Sequence, residues 1–521
     1  MRSTWIVTCL SLLVYLAAGS WVAAHASATS DEVPHIGAGV SYLQGDTRLN
    51  REHPPLVKLL AAAALPSAAF RFRLEPESRS PPAADLQWSF GSAVLHESGA
   101  APLELLWRAR LPLLLWNASL FGWLALWAYS AFGAVAACWA VALLATCPLW
   151  LAHASLVATD APATALYFAC AASAAQLLAA EGRARYAWAA LLAIAFALAL
   201  CTKYSLLGAL GLVPLAFAID AWRSGRRAQL PLCALAAAVG GGLGVAFAWG
   251  LPPDPAAYLR GVRLVGHNHR TGGYAFYAFG ELFRGQQPLY FARALLVKVS
   301  SGLLLAAAVA GSVALLRRLA RLPPATPAQT RVRAGALLWL PPLGYGLLME
   351  CFAPAIGVRY VLPVLPFLLL AAAAGLASIM RTARLRAVLA LICALQLYGF
   401  ATALHSSPLA YFNGLLCSTG DVPPCLDDSN VDWGQSLPQL EAARAARYAG
   451  APLRLFYFGS SPPEAYVRAQ TAHPVELLKP QAALYAVSLH ILARAPRDSW
   501  VHQSAPREVV AGSYVIFDLR L

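Results

Sequence analysis

Eleven stretches of the chain are almost wholly apolar, near 5–25, 109–130, 132–150, 161–180, 186–202, 204–221, 230–250, 291–316, 334–350, 360–379 and 387–404. Most are close to the roughly 20 residues that a helix needs to cross a bilayer. In hydrocarbon every backbone N–H and C=O must be paired within the protein, so runs of this kind become spanning helices. The chain therefore reads as an all-α polytopic membrane protein. Of its 521 residues, 59% are hydrophobic and 12% charged, whereas soluble domains carry about 25% charged residues. A soluble enzyme is disfavoured on that ground. The formal charge of +14 would suggest a nucleic-acid partner in a soluble chain, but here it sits in short loops between apolar runs, where it sets orientation. No nucleic acid is expected.

Threading the runs with the N-terminus inside places Arg183, Arg185, Arg223, Arg226, Arg227, Arg317, Arg318, Arg321, Arg331, Arg333, Arg381, Arg384 and Arg386 in cytoplasmic loops, with Glu181 their acidic neighbour. The positive-inside rule is met at four successive loops, and an odd number of helices sends the C-terminus out. The first run resembles a signal peptide but is long enough to span, so it is read as an uncleaved helix. The expected location is the inner (plasma) membrane, multi-pass, with a cytoplasmic N-terminus and a periplasmic C-terminal domain. Two domains follow: a transmembrane part, 1–404, with large outer loops at 26–108 and 251–290, and an extracytoplasmic tail, 405–521. The first loop opens with Ile36, Val40, Tyr42, Leu43, Leu56, Val57, Leu59 and Leu60, spaced as short amphipathic helices at the membrane surface. In the tail, 436–448 reads as a helix closed by Gly450, and 453–458, 483–487 and 514–519 as strands, a small α/β domain.

Of ten cysteines, six lie inside apolar runs as small buried hydrophobes. Cys417 and Cys425 are close together in a polar stretch, which would be oxidising territory if extracytoplasmic, and they form a candidate disulfide. The stretch 31–58 gathers acids, bases and imidazoles just outside the first helix. A carboxylate at the rim of a cavity between helices can act as a general base. Asp31 is equally well placed to cap the helix that follows it, with Glu32 in the first turn.

The stretch resembles the first outer loop of lipid-carrier-dependent glycosyltransferases of the GT-C superfamily, and within it glycosyltransferase family 39, which includes protein O-mannosyltransferases and lipid A aminoarabinose transferases. Members begin this loop with an Asp-Glu pair, here Asp31-Glu32. The match continues through 50–58 (Asn-Arg-Glu-His-Pro-Pro-Leu-Val-Lys), 153–160 (His-Ala-Ser-Leu-Val-Ala-Thr-Asp), 202–204 (Thr-Lys-Tyr), 359–366 (Arg-Tyr-Val-Leu-Pro-Val-Leu-Pro) and 428–435 (Asp-Ser-Asn-Val-Asp-Trp-Gly-Gln). The motifs are specific to the superfamily and say little about the substrate.

The resemblance implies a GT-C fold and transfer of a sugar from a polyprenyl-phosphate donor to an extracytoplasmic hydroxyl. Asp31 would be the base of an inverting reaction. A retaining one would need a second carboxylate about 5 Å away, and Glu32, as the next residue, points elsewhere, so it is assigned to positioning. The leaving phosphate needs cations. The chain has four lysines, and Lys58, Lys203 and Lys298 fall near outer helix ends. With Arg270 and Arg359 they are the candidate phosphate ligands, or else interface anchors. His53, Asp160, Tyr360, Asp432, Trp433 and Gln435 are the candidate cavity and substrate residues. Asp160 has an alternative reading as a helix cap, and the Asp432–Gln435 cluster as packing of the small domain. The spacing of His35, His53, His267 and His269 fits no compact zinc pattern, so no metal and no cofactor is expected. No nucleotide loop is evident. The partners expected are the bilayer, the lipid-linked sugar, and an acceptor that is a protein, lipid A or another glycan. A transporter or flippase of the same lipid is the rival, and a non-catalytic envelope assembly protein the third reading.

Overall fold

The computed structural model describes residues 2–75, 83–271, 275–319, 335–380 and 385–520. Among these, eight helices are long and apolar enough to cross a membrane: Thr4–His25, Pro102–Phe132, Asp160–Ala179, Leu206–Arg223, Arg227–Phe247, Gly335–Phe352, Val358–Ile379 and Arg386–His405. Two further candidate crossings are bent pairs, Ala134–Ala145 with Pro148–Ala154 at 61°, and Tyr290–Lys298 with Ser301–Leu316 at 112°. Ala184–Leu200 is a shorter apolar helix. The apolar runs fall one by one on these elements, and the chain is a mostly helical, multi-pass membrane protein.

The runs at 132–150 and 291–316, expected as straight spans, are broken. At the first break Pro148 opens a new helix, where its missing N–H costs nothing. Breaks inside an apolar layer leave carbonyls that water cannot reach, and here side chains meet them. Gln396, on the last span, donates from Nε2 to the Thr146 carbonyl at 2.9 Å and accepts from Ser300 Oγ at 2.5 Å. Asn413 Nδ2 donates to the carbonyls of Leu296 and Val299, at 2.6 and 2.8 Å, closing the short helix before the sharper bend. Asp220 plays the corresponding part at a helix start, accepting the N–H groups of Ala336 and Leu337 at 2.8 and 2.9 Å. Helix Ala184–Leu200 packs against Arg227–Phe247 at Gly240, where a Cβ would stand 2.2 Å from the Ala193 carbonyl oxygen. Small residues permit such close approach of backbones.

Among its described residues the loop at 26–108 carries the α-helices Glu32–Leu43, Leu56–Ala63 and Ala83–His96, with a short 3-10 helix at Ser67–Arg71. The first is enclosed rather than laid flat on a surface, since every residue but Leu43 is buried. Its apolar side meets the other two helices where glycines bring the chains together. A Cβ on Gly91 would lie 2.2 Å from the Val33 carbonyl oxygen, and one on Gly37 would lie 2.6 Å from the Gly91 Cα.

Beyond 250, strands β1 (Ala275–Ala278) and β2 (Glu281–Arg284) form an antiparallel hairpin. The tail has helix Leu437–Arg447 and a five-stranded sheet of β3 (Leu453–Phe456), β4 (Gln470–Thr471), β5 (Leu484–Ser488), β6 (Glu508–Val510) and β7 (Tyr514–Asp518), in the order β4-β3-β5-β7-β6. The edge strands β4 and β6, two and three residues long, are too short to leave a period-2 pattern in the sequence. This region is joined closely to the first loop. The N–H groups of Ser27 and Ser30 donate to the carbonyls of Gln435 and Trp433 at 3.0 and 2.9 Å, and Ser27 Oγ donates to the Gly434 carbonyl at 2.7 Å.

Candidate functional site

Where the first loop, the tail and the ends of three spans meet, they enclose a cavity of about 550 Å3. Asp31, His53, Asp160, Lys203, Arg359, Tyr360 and Trp433, from segments scattered along the sequence, all line it. Asp31 stands at the N-cap of helix Glu32–Leu43, yet its side chain makes no capping hydrogen bond. Its carboxylate is turned instead towards Arg359, whose Nη1 donates to Oδ2 at 2.6 Å. Asp160, in the first turn of the span Asp160–Ala179, likewise leaves its helix end. It accepts from Lys203 Nζ at 2.5 Å and lies 3.8 Å from Arg359 Nη1.

Two carboxylates and two cations thus alternate along one wall. Arg359 stacks over Trp433 with its guanidinium carbon 4.2 Å from the ring centroid, and Lys203 Nζ stands 5.0 Å from the centre of Tyr360. The four charged side chains differ in access. Asp160 is 2% exposed and Arg359 and Lys203 10% each, while Asp31 is 26% exposed. Of these two carboxylates Asp31 is the more accessible from the cavity, and accessibility is what a proton acceptor for an incoming hydroxyl needs.

Arg359 is held from the tail. Asn430 Oδ1 accepts the Val358 N–H at 2.9 Å, and Ser429 Oγ donates to the Ile356 carbonyl at 2.8 Å. At Gly357, between them, a Cβ would stand 2.1 Å from Ser429 Oγ. The segment carrying Ser429 and Asn430 follows Cys425, which is disulfide-bonded to Cys417. Asp428 also lines the cavity, and burial pushes its carboxyl above the ordinary range despite the nearby His490. Phe458, beside it on the wall, stacks on His490 at 3.7 Å.

Several residues singled out in the sequence are employed elsewhere. Glu32 is fully buried outside the cavity. Its carboxylate accepts from Arg110 Nε and Nη2 at 2.8 and 2.6 Å and from the N–H groups of Val157 and Thr29. Burial pushes its pKa up, but Arg110 and these backbone donors outweigh that and leave it below the usual range. Glu32 therefore joins three segments and touches no open space. Lys58 and Lys298, expected as phosphate ligands, do not line the cavity. Lys58 donates to the carbonyls of Asn50 and His53 and to the Tyr42 hydroxyl. Lys298 donates to the carbonyls of Leu409 and Asn430 at 2.7 and 2.6 Å. Both are buried with their ammonium groups pointed at carbonyls, and among the described residues Lys203 and Arg359 are the lysine and arginine that line the cavity. The Arg270 side chain lies outside the described residues.

Asp432 and Gln435 stand behind the wall. Asp432 accepts from Ser488 Oγ and the Gly434 N–H, and burial pushes its carboxyl up to about 6. Gln435 accepts the Trp433 N–H at 2.7 Å and donates to the Val431 carbonyl, which fixes the ring under Arg359. His53 meets His35 edge to face at 5.2 Å, and burial holds both imidazoles below their ordinary pKa, His53 by more. Among the described residues no group of three His, Cys, Asp or Glu side chains converges at metal-ligating reach.

Sequence reasoning missed Arg110 and Asn430. A lone arginine inside an apolar run is a strong signal, because a charge at that depth requires a partner, and Arg110 carried that signal. Asn430 lay within the quoted 428–435 stretch, but its role depends on a contact with a residue 72 positions away and was not legible there.

No protein-family model matches the chain, and no curated protein matches it either. Among solved structures it is similar to ArnT from Cupriavidus metallidurans. Against the form bound to undecaprenyl phosphate the identity is 16% and the TM-score 0.48, and against the apo form they are 15% and 0.49. Both comparisons cover 99% of this chain and 98% of the other.

Proposed function

We propose that the protein is a membrane glycosyltransferase of the GT-C type that moves a sugar from a polyprenyl-phosphate donor to an acceptor hydroxyl on the outer side of the membrane. The observation that carries this reading is the pairing of Asp31 with Arg359 in a cavity that also holds Lys203. Donor phosphate enters the cavity against Arg359, with Lys203 on the same wall, and these cations offset its charge in a site of low polarity. Phosphate on Arg359 competes with Asp31 for the guanidinium and frees the carboxylate to face the acceptor. As the acceptor oxygen bonds to the anomeric carbon, its proton passes to Asp31, and the bond from that carbon to the phosphate oxygen breaks with its electron pair leaving on phosphate. The acceptor attacks from the face opposite the departing phosphate, so the configuration inverts. Tyr360 and Trp433 hold the two cations in place.

Which sugar and acceptor are used is to be found by incubating purified protein with radiolabelled polyprenyl-phosphate sugars and membrane extract. Label passing covalently to an acceptor supports the transferase. Label carried intact across a vesicle membrane, with no new glycoside, would favour the rival transporter. The cavity lies at the ends of the spans with its wall completed by the tail, whereas transporters bind near the bilayer midplane, and this favours transfer.

A further inference from the structure

Helix Pro255–Thr271 follows the span Arg227–Phe247 and has two different sides. Its inner side is fixed against Tyr204. Tyr258 meets that ring edge to face at 4.9 Å, and Gly261 is so close to it that a Cβ would stand 2.0 Å from the hydroxyl. Further along the same helix, Val265 and Asn268 line the cavity. The outer side exposes Leu259, Arg260, Arg263 and Leu264, apolar and basic residues together. Arg260 is more than half exposed even though it lies 3.2 Å from Asp254.

The apolar part of this outer side does not stand alone. On the preceding span Leu235, Val239, Leu243 and Phe247 are exposed at every fourth position, a single stripe along one helix face of the kind that faces lipid. The turn carries Leu251, 83% exposed, and the helix then adds Leu259 and Leu264. The surface that faces acyl chains thus continues onto the helix, and at that point arginines enter it. Leucines dipping beside arginines at the edge of a span suit the boundary between acyl chains and negatively charged headgroups.

We infer that the outer face of this helix docks on anionic phospholipid headgroups, so that bilayer charge bears on the element whose inner face lines the cavity. The inference does not depend on the transferase reading. It is tested with the full-length protein in nanodiscs of phosphatidylcholine alone and of phosphatidylcholine mixed equally with phosphatidylglycerol, following amide hydrogen exchange over 255–268. Exchange should be several-fold slower in the anionic discs. Arg260→Gln with Arg263→Gln should remove most of that difference, and in the unmodified protein high salt should shrink it, because screening weakens exposed charge pairs. Equal exchange in the two lipids, or a difference indifferent to both salt and the double substitution, would overturn the inference.

Discussion

Asp31 and Arg359, 328 positions apart in the chain, meet at 2.6 Å, and the pair joins the start of the first-loop helix to the start of a membrane span. Arg359 also faces Asp160 and covers the ring of Trp433. Removing it leaves two carboxylates without their shared cation. Breaking a buried pair on one side costs about 3–5 kcal/mol, so Arg359→Ala should lower thermal stability clearly and abolish donor binding. Arg359→Lys keeps the charge but loses the planar stack, so it should restore much of the stability and little of the donor affinity. Thermal unfolding and lipid-phosphate binding, measured side by side, check this.

Neighbouring acids should behave differently. Glu32 is paired with Arg110, both fully buried, so Glu32→Gln should destabilise by about 3–5 kcal/mol while the correctly folded fraction keeps its turnover. Asp31→Asn should do the reverse, with a small effect on stability and a large one on turnover. If Glu32→Gln removed turnover from protein of unchanged stability, the assignment of Glu32 to positioning would fail.

The same groups set a pH response. Glu32 has a folded pKa below its ordinary 4.5, so its contribution is present above that value and is lost as pH falls through the lower folded value. His35 and His53 have folded pKa values below 6.5. The unfolded chain then binds more protons as pH falls below 6.5, and stability declines with it. The two imidazoles should therefore lower the melting temperature as pH falls below 6.5, while Asp432, its carboxyl pushed up to about 6, works in the opposite direction. His35→Gln with His53→Gln should shrink the acid-side fall, and an unchanged fall would contradict these burials.

The Asn430 contact with Val358 predicts that the tail governs the site. Asn430→Ala removes an acceptor for a buried N–H, at about 1–3 kcal/mol, and lets the turn before Arg359 relax. KM for the donor should rise more than kcat falls, and Asn430→Asp, which retains the acceptor oxygen, should recover part of the loss. Unchanged donor KM in Asn430→Ala would mean that the tail does not position Arg359.

How much of this was legible in the sequence depended on range. Apolar runs are local, so each helix could be located, but not the bends at 146–147 and 299–300. Pro148 marks the first break locally, but the freed carbonyls at both are met by Gln396 and Asn413, and neither is near in sequence. Lys58, Lys203 and Lys298 looked alike as lysines at helix ends, and only their partners separate the one that meets a carboxylate from the two that meet carbonyls. The enclosure of helix Glu32–Leu43 was hidden for the same reason. Its glycines read as weak helix formers until Gly91 is seen against Val33.

That contact carries its own test. Gly→Ala within an exposed helix usually stabilises by about 1 kcal/mol, but a Cβ at Gly91 has only backbone to displace. Gly91→Ala should destabilise by about 1–3 kcal/mol and disturb Asp31 through the helix it begins. A more stable Gly91→Ala protein would mean that the two helices are not this close.

The most direct measurement is the rate of sugar transfer from a polyprenyl-phosphate donor by Asp31→Asn, with folding and donor binding verified in the same preparation. The account predicts donor binding close to that of the unmodified protein and a fall in transfer of about 10²–10⁴-fold, the usual contribution of a general base. Transfer by Asp31→Asn at the unmodified rate would contradict it.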